Sequence, residues 1–273
     1  ILEACIQRMG SVIVAYSGGI DSTFLSVVAT KILGTKTLAV TANSPSLAPS
    51  ELDNAVQIAK QLNLNHRIIQ TDEFGRGEYQ LNTPNRCFFC KEELYSHLTQ
   101  LAGEENYSFV ANGTNSNDLG DFRPGIASAK KRGIRSPLVE SNLTKNEIRE
   151  LSKHMDLPNW DKPAQACLAS RIPYGTPITM ENLDMVSKAE EYIGKLQFNQ
   201  YRVRHHGTVA RIEVAPSEFH KLLDAATRRE IIRYFRTIGY TYVCIDLNGF
   251  ESGSLNKILT GTKSNNQYGV PKS

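Results

Sequence analysis

The segment from Val12 to Leu33 constrains the fold of this 273-residue chain more than any other part of it. Val12 to Tyr16 is a short, apolar run rich in β-branched residues, which is typical of a buried parallel strand. The sequence S-G-G-I-D-S, from Ser17 to Ser22, follows at once, and an apolar-periodic helix is predicted over Thr23 to Leu33. A strand that turns into a helix through a glycine pair predicts an α/β sheet.

The first 160 residues continue this alternation of strands and helices. Strands are predicted at 37–41, 66–70 and 108–111, and helices at 50–63 and 91–102. Because β-crossover-β connections are right-handed, we expect a Rossmann-like, doubly wound parallel sheet. Ligands of such sheets bind at the carboxyl ends of the strands, so we predict a ligand-binding domain over residues 1–165.

The pattern changes near residue 163, where prolines interrupt the chain. A helix at 180–196, a β-hairpin formed by 201–205 and 209–214, a helix at 216–237 and a strand at 240–247 are predicted after that point. They indicate a smaller α+β domain over residues 166–259. The tail at 260–273 is rich in Gly, Ser, Asn and Lys and is predicted to be disordered.

Composition and charge exclude several classes of protein. The 31 Lys and Arg against 28 Asp and Glu leave a net charge of +3, too small for a general nucleic-acid binder, so we expect no nucleic-acid partner. No run approaches the length of apolar residues that spans a membrane, and we expect no membrane association. The N-terminal residues do not resemble a signal peptide, so we expect a cytoplasmic enzyme.

The S-G-G-I-D-S segment has the chemistry of a phosphate-binding loop. Its two glycines allow the backbone to approach a ligand, and the helix that follows offers unpaired N–H groups. Ser17 and Ser22 can donate to phosphate oxygens, and Asp21 is suited to holding Mg²⁺ or orienting the loop. No Gly-Lys-Ser/Thr follows, so it is not a Walker loop. The alternative is an ordinary strand-to-helix turn.

Five cysteines, an odd number, argue against a disulfide scaffold. Cys87 and Cys90 form one C-x-x-C pair, and a closed zinc site would need a second pair. Cys167, in an irregular loop, is the best candidate for a third thiolate, and three thiolates leave one iron of a [4Fe–4S] cluster open. Cys5 and Cys244 are predicted to be buried core thiols, as free cysteines usually are.

The predicted hairpin carries basic residues at alternate positions. With a period of two, Arg202, Arg204 and His206 lie on one face. Two guanidinium groups on one face can bind a phosphate or carboxylates in a bidentate manner. The alternative is a solvated strand face.

The segment from Ser17 to Ser22 resembles the S-G-G-x-D-S signature of the PP-loop ATP pyrophosphatases. Residues 112–118 are similar to the G-T-N-x-x-D loop of that superfamily, and residues 42–44 fall where it seats adenine. The resemblance implies that ATP is cleaved between its α- and β-phosphates and that AMP is transferred to a carboxylate or carbonyl oxygen. The nucleotide-binding residues implied are Ser17, Gly18, Gly19, Asp21, Ser22, Ala42 and Gly113.

Further motifs are similar to one family within that superfamily. D-F-R-P-G at 121–125, S-R-I-P-Y-G at 170–175 and the Arg-x-Arg hairpin followed by A-R-I-E at 210–213 resemble the LarE family, over nearly the whole chain. LarE proteins are ATP-dependent sulfur transferases that build the nickel-pincer nucleotide cofactor of lactate racemase. The resemblance implies that a carboxylate of pyridinium-3,5-biscarboxylic acid mononucleotide is adenylated and its oxygen replaced by sulfur, twice.

The family has two kinds of sulfur donor. In one, a cysteine at the position of Cys167 gives up its own sulfur; in the other, that cysteine and a C-x-x-C carry a [4Fe–4S] cluster whose open iron holds a sulfide. Because this chain has Cys87 and Cys90, the resemblance favours the cluster type. Sacrifice of Cys167 is the alternative, and the external source would be sulfide or another sulfur donor.

The resemblance also implies roles for individual residues. Lys91 matches a lysine of the site, Arg171 could steady a carboxylate or the acyl-adenylate, and Glu190 matches an acidic residue near a metal. The full set comprises catalytic Cys167, Asp21, Lys91 and Arg171; substrate-binding Arg202, Arg204 and Ser170; and metal-binding Cys87, Cys90, Cys167, Glu190 and Glu213. ATP, Mg²⁺ and a [4Fe–4S] cluster are the cofactors implied, and a homo-oligomer, trimeric or hexameric, is expected.

Other functions remain open from the sequence. A PP-loop amide synthetase should have a glutaminase or ammonia-channel partner, and a tRNA thiolase should carry a basic RNA-binding module. Neither is visible in the sequence. An iron–sulfur or zinc-binding protein that keeps its nucleotide site only for sensing is an alternative from another class.

Overall fold

The computed structural model describes residues 1–120, 123–163, 165–251 and 253–256. The chain divides into two compact units, Ile1–Ala166 and Cys167–Ser273. Asp121 and Phe122 of the D-F-R-P-G motif lie outside the described residues, as does the predicted disordered tail. Within the described ranges, no helix combines the length and the apolar character needed to cross a bilayer.

The first unit is built on a four-stranded parallel sheet, which confirms the predicted fold class. Its strands are β1 (Val12–Ala15), β2 (Thr37–Asn43), β3 (His66–Gln70) and β4 (Phe109–Asn112). They lie in the order β3-β2-β1-β4, so consecutive strands β1 and β2 are neighbours while β4 returns to the other side of β1. The strand order therefore reverses at β1 and β4, where open α/β sheets place their ligands.

Helices cover both faces of this sheet. Alternate residues of β1 face opposite layers: Val12 and Val14 pack with Leu25 in one core cluster, and Ile13 packs with Leu98 in another. The helices of the unit are α1 (Leu2–Gln7), α2 (Ile20–Leu33), α3 (Pro49–Gln61), α4 (Gly77–Gln80), α5 (Arg86–Glu104), α6 (Pro124–Lys131), α7 (Pro137–Glu140) and α8 (Lys145–His154).

The second unit has α+β architecture around a three-stranded sheet. Strands β5 (Tyr201–His206) and β6 (Val209–Val214) form the predicted antiparallel hairpin, and β7 (Tyr242–Ile245) pairs parallel with β6. Its helices are α9 (Met180–Lys195), α10 (Phe219–Leu223) and α11 (Ala225–Thr237). One face of the sheet, which includes Val203 and Ile212, packs on these helices, for example on Phe235 of α11.

The prediction of one helix over 216–237 was wrong. A 3-10 turn at Pro216–Glu218 precedes α10, and the chain leaves helical geometry at Asp224 before α11 begins. The carboxylate of Asp224 accepts hydrogen bonds from the backbone N–H groups of Ala226 and Thr227, at 3.0 and 2.9 Å. Asp224 is therefore an N-cap that starts a new helix rather than an interior residue.

Two further predictions need correction. Cys244 is exposed, not buried, because β7 alternates: Val243 and Ile245 pack against the core while Cys244 shares the outer face with Tyr242. Helix α5 begins at Arg86 instead of residue 91, which places the C-x-x-C pair inside its first turns. Cys5, on α1, is buried as predicted.

Candidate active site

The phosphate loop, residues 17–22, is shaped by glycines that have no room for a side chain. Gly18 has a φ of +68°, and a Cβ there would lie 2.8 Å from the Cα of Ala55 on α3. Gly113, just after β4, approaches the loop from the other side, and a Cβ there would lie 2.8 Å from the backbone nitrogen of Ser22. Because backbone atoms cannot yield as a flexible side chain can, both approaches require glycine.

Serine hydroxyls hold the loop in one conformation. Ser22 donates to the carbonyl of Gly19 at 3.1 Å and accepts from the backbone N–H of Ser17 at 3.2 Å. The hydroxyls of Ser17 and Ser22 are 3.1 Å apart. Helix α2 begins immediately at Ile20, so the N–H groups of its first turn and the positive end of its dipole are available to an anion.

Asp21 lies beside the loop in a setting that disfavours a lone negative charge. Burial raises the pKa of its carboxyl, although a hydrogen bond from Asn115 Nδ2 to Asp21 Oδ1, 3.2 Å long, acts in the opposite direction. Asn115 also donates its backbone N–H to Asp118, whose carboxylate pairs with Arg123 at 2.7 Å. A divalent cation at Asp21 would offset the cost of burying this carboxylate. Ala42 lies near the end of β2, partly buried.

The C-x-x-C pair lies at the start of α5. Cys87 is exposed and Cys90 is partly buried, and their spacing puts both thiols on the same side of the helix. Lys91 follows, and its side chain packs on α6 at Gly125, where a Cβ would lie 2.9 Å from Lys91 Cγ. Of the residues with described placement, no three His, Cys, Asp or Glu side chains are grouped closely enough to hold a metal ion.

The second unit contains a cluster of three buried arginines, one buried glutamate and one partly buried glutamate, which we call the arginine cluster: Arg171, Arg202, Arg204, Glu213 and, partly buried, Glu190. Arg171 binds Glu190 through two hydrogen bonds of 2.8 and 2.9 Å, and Arg204 binds Glu213 through two of 2.9 Å. Both pairs have the bidentate geometry that makes such interactions strong. Ion pairing with Glu190 outweighs burial and raises the pKa of Arg171.

Arg202 is the cation of this cluster that forms no ion pair with a carboxylate of the described residues, although Glu190 and Glu213 lie near enough to attract its charge. It is 5% exposed, and its guanidinium lies over the ring of Phe250, 4.7 Å from the centroid. Burial and the charges of Arg171 and Arg204 lower the pKa of Arg202 to about 10, so it is still charged at neutral pH. Three guanidiniums against two carboxylates leave one positive charge in excess, which suits this place to an anion.

The cluster also anchors the loop that carries Cys167. This residue is exposed and precedes the 3-10 turn Leu168–Arg171. Arg171 donates to the carbonyl of Cys167 at 3.2 Å and to the hydroxyl of Ser170 at 2.9 Å, and Arg204 donates to the carbonyl of Ser170 at 2.8 Å. The thiol is thus exposed on a backbone segment that buried cations hold in place.

The predicted metal ligands Glu190 and Glu213 are both engaged by arginines, and Glu190 also accepts the backbone N–H of Val203 at 2.9 Å. Their role in metal binding stays a prediction.

Sequence reasoning missed Asn159, whose side-chain amide donates to the Gly18 carbonyl of the phosphate loop at 3.0 Å. Asn159 belongs to no motif or periodic pattern, so no sequence signal marked it.

Comparison with known proteins finds a matching family model and several related proteins. The family model described as NAD synthase matches residues 2–97. The chain is 46% identical to an uncharacterised protein of Synechocystis over 95% of its own length and 97% of that protein's. It is 36% identical to the pyridinium-3,5-bisthiocarboxylic acid mononucleotide synthase of Lactiplantibacillus plantarum, over 95% of this chain and 94% of the relative. A glutamine-hydrolysing GMP synthase chain of Sulfurisphaera tokodaii is 25% identical over 70% of this chain and 57% of the relative.

Proposed function

The chain belongs to the LarE family of PP-loop, ATP-dependent sulfurtransferases, and we propose that it converts pyridinium-3,5-biscarboxylic acid mononucleotide into the bisthiocarboxylate. One observation carries this proposal beyond the family: a buried guanidinium, Arg202, that lacks a carboxylate partner among the described residues. A mononucleotide brings a phosphate that would neutralise it. The product is the precursor of the nickel-pincer nucleotide cofactor.

The first step is adenylation. An oxygen of a substrate carboxylate attacks the α-phosphorus of ATP, the bond to the β-phosphate breaks, and pyrophosphate leaves. The phosphate loop holds the leaving pyrophosphate through backbone N–H groups and the hydroxyls of Ser17 and Ser22. Asp21 would hold Mg²⁺, which offsets the charge of the phosphates. Lys91 would assist by placing a cation near the reacting groups.

The second step replaces oxygen by sulfur. A sulfur nucleophile attacks the acyl carbon of the adenylate, and AMP leaves with the original carboxylate oxygen. Arg202 and Arg204 would hold the substrate phosphate together with Ser170, and Arg171 would steady the adenylate near Cys167. The same two steps on the second carboxylate give the bisthiocarboxylate.

We propose Cys87, Cys90 and Cys167 as ligands of a [4Fe–4S] cluster. Cys87 and Cys90 lie one helical turn apart, which allows both thiolates to reach one cluster, and Cys167 and Cys87 are exposed. When bound, such a cluster would present a sulfide on the iron that no cysteine ligates. The donor chemistry fits, since all three residues supply thiolates, but the described side chains are not grouped as ligands, so cluster binding would have to bring the three thiols together.

The reaction is tested by substrate-dependent pyrophosphate release. We expect purified protein with ATP and Mg²⁺ to release pyrophosphate only when the biscarboxylate mononucleotide is present, and Asp21→Asn to abolish the release. A matched control is Asp156→Asn, in a turn that the site does not use. Nucleotide binding without substrate-dependent release would contradict the proposal and favour a sensing protein.

The sulfur source is tested by anaerobic reconstitution with iron and sulfide. We expect a broad iron–sulfur absorbance that Cys87→Ala, Cys90→Ala and Cys167→Ala each remove. Cys244→Ala, which changes an exposed thiol on β7, should leave it intact. Absence of iron together with a Cys167 that is lighter by one sulfur after turnover would establish the sacrificial route instead.

We further propose that the protein works in the cytoplasm as a homo-oligomer, a trimer or a hexamer. Sedimentation at micromolar concentration would test the assembly. A species with the mass of one chain would contradict it.

A further inference from the structure

We infer that Asn159 is a positioning residue of the phosphate loop, which holds the Gly18–Gly19 peptide with its carbonyl turned away from the pyrophosphate. The inference rests on the proposed function only in that the loop binds the pyrophosphate of ATP. Asn159 lies in the loop after α8 and is only 3% exposed, with its amide directed at the phosphate loop.

The contacts of Asn159 define an orientation. Its Nδ2 donates two hydrogen bonds, one to the carbonyl of Gly18 at 3.0 Å and one to Thr23 Oγ1 at 2.9 Å. Since the carbonyl and the N–H of one peptide point in opposite directions, a Gly18 carbonyl fixed on Asn159 directs the N–H of Gly19 to the opposite side. That N–H has one weak internal acceptor, Ser17 Oγ at 3.4 Å, and is available to a phosphate oxygen.

A glycine–glycine peptide needs such a restraint more than other peptides do. Glycine adopts positive and negative φ with similar ease, so the peptide between Gly18 and Gly19 can rotate without a side chain to oppose it. In the rotated state a carbonyl oxygen would face the phosphates and repel them. A donor fixed behind the loop favours the productive state before ATP binds, which is the general benefit of preorganisation.

The segment that carries Asn159 is itself held firmly. The side chain of Arg149 donates to the carbonyl of Trp160 at 3.3 Å, and Lys153 lies over the Trp160 ring, 4.7 Å from its centroid. Lys162 pairs with Glu51 of α3 at 2.7 Å. The amide is therefore positioned by α8 on one side and by α3 on the other.

The oxygen of the Asn159 amide indicates that this side chain does not serve mainly to stabilise the fold. Asn159 Oδ1 is buried and has no hydrogen-bond partner among the described residues. A buried acceptor without a donor costs free energy, which an apolar residue in its place would avoid. The amide is also confined to one orientation, because its flipped form would place Oδ1 against the Gly18 carbonyl.

The test compares ligands that need the loop with one that does not. Calorimetric titrations with inorganic pyrophosphate, α,β-methylene ATP and AMP are performed on the whole protein and on Asn159→Ala and Asn159→Asp. We expect Asn159→Ala to weaken binding of the first two ligands about tenfold, with the AMP affinity unchanged. Asn159→Asp should weaken them further, because its carboxylate repels the Gly18 carbonyl and the ligand.

A control separates positioning from packing. Thr23→Val removes the other acceptor of Asn159 in an equally buried place and leaves the Gly18 hydrogen bond intact. We expect it to lower the melting temperature without changing the ratio of pyrophosphate to AMP affinity. Asn159→Ser is the milder second variant, with a smaller change in the same ratio.

Equal loss of affinity for all three ligands, or a Thr23→Val ratio that matches that of Asn159→Ala, would overturn the inference. The ratio does not require turnover. A failure of the proposed reaction would appear in the pyrophosphate-release assay and leave the ratio unaffected, so the two failures are distinguishable.

Discussion

The phosphate loop of the first unit and the arginine cluster of the second are both suited to anions, but they differ in construction. The loop uses backbone N–H groups, a helix end and hydroxyls, in a space that glycines keep open. The cluster uses buried guanidiniums, two of which are already neutralised by carboxylates. Function in the loop should therefore depend on shape, whereas function in the cluster should depend on the balance of charge.

The largest effect is expected from adding one methyl group to the loop. A Cβ at Gly18 would lie 2.8 Å from backbone and side-chain carbons of Ala55, at a positive φ. We expect Gly18→Ala to reduce pyrophosphate release ~1,000-fold, since the donors of the loop would be displaced from the leaving group.

Gly10→Ala is the matched control for that change. Gly10 has a nearly identical φ of +70°, but a Cβ there meets nothing within 4 Å. The Gly10→Ala variant should release pyrophosphate at a rate close to that of the unchanged protein. If Gly10→Ala and Gly18→Ala lose activity alike, backbone strain and not the shape of the loop accounts for the loss.

The next effect concerns a neutralised cation of the cluster. Arg204→Leu would leave Glu213 buried with only Arg211, at 3.2 Å, as its ionic partner among the described residues. We expect the free energy of unfolding to fall by ~3 kcal/mol, because a buried charge loses its main partner. Denaturant unfolding measures this. The double change Arg204→Leu with Glu213→Leu should restore most of the loss, and a double variant as unstable as the single one would contradict the account.

Arg202 should behave in the opposite way. Arg202→Leu removes a buried cation that forms no ion pair with a described carboxylate, so we expect stability to be kept or increased. The KM for the mononucleotide substrate should rise ~30-fold through loss of the phosphate contact, while the KM for ATP stays unchanged. Steady-state kinetics with each substrate varied in turn decides this. A loss of stability with an unchanged substrate KM would show that Arg202 serves the fold.

The smallest effect is expected from an ion pair outside both regions. Arg135 holds the pKa of Glu140 down at about 2, through a hydrogen bond on a partly exposed surface. A pKa lowered by folding stabilises the protein above the unfolded value of 4.5, and this contribution is lost as pH falls from 4.5 towards 2. We expect Glu140→Gln to cost ~0.5 kcal/mol at pH 7.

Unfolding curves measured from pH 7 down to pH 2 should show the two proteins converging. A difference that stays constant over this range would mean that the charge of Glu140 contributes nothing. The loss in free energy of unfolding in Glu140→Gln, compared with that in Arg204→Leu, then shows how much an exposed and a buried ion pair each contribute in the same protein.

Local patterns in the sequence predicted the first unit well. The apolar, β-branched run at β1 and the glycine pair after it specify a strand, a loop and a helix within a short stretch, and the parallel sheet followed from the alternation. The hairpin of the second unit was predicted for the same reason: its two strands alternate and Gly207 supplies the positive φ of the turn.

The remaining features depend on contacts that local patterns do not contain. The register of β5 against β6 sets Glu213 opposite Arg202, yet Glu213 forms its bidentate pair diagonally with Arg204. Asn159 contacts the phosphate loop across 141 positions of the chain. Cys244 was predicted to be buried from its apolar neighbours, but the face it occupies depends on how β7 lies on the core. Asp224 falls inside the predicted helix at 216–237, and only its capping contacts identify it as the start of a new helix.

If this chain inserts sulfur into an adenylated carboxylate, the mass of the product shows the replacement of oxygen by sulfur. Protein reconstituted anaerobically with iron and sulfide is incubated with ATP, Mg²⁺, excess sulfide and excess biscarboxylate mononucleotide. We predict a product in which sulfur has replaced one oxygen of each carboxylate, formed in excess over protein, with the mass of the Cys167 peptide unchanged. Release of pyrophosphate with both carboxylates still fully oxygenated would contradict the account.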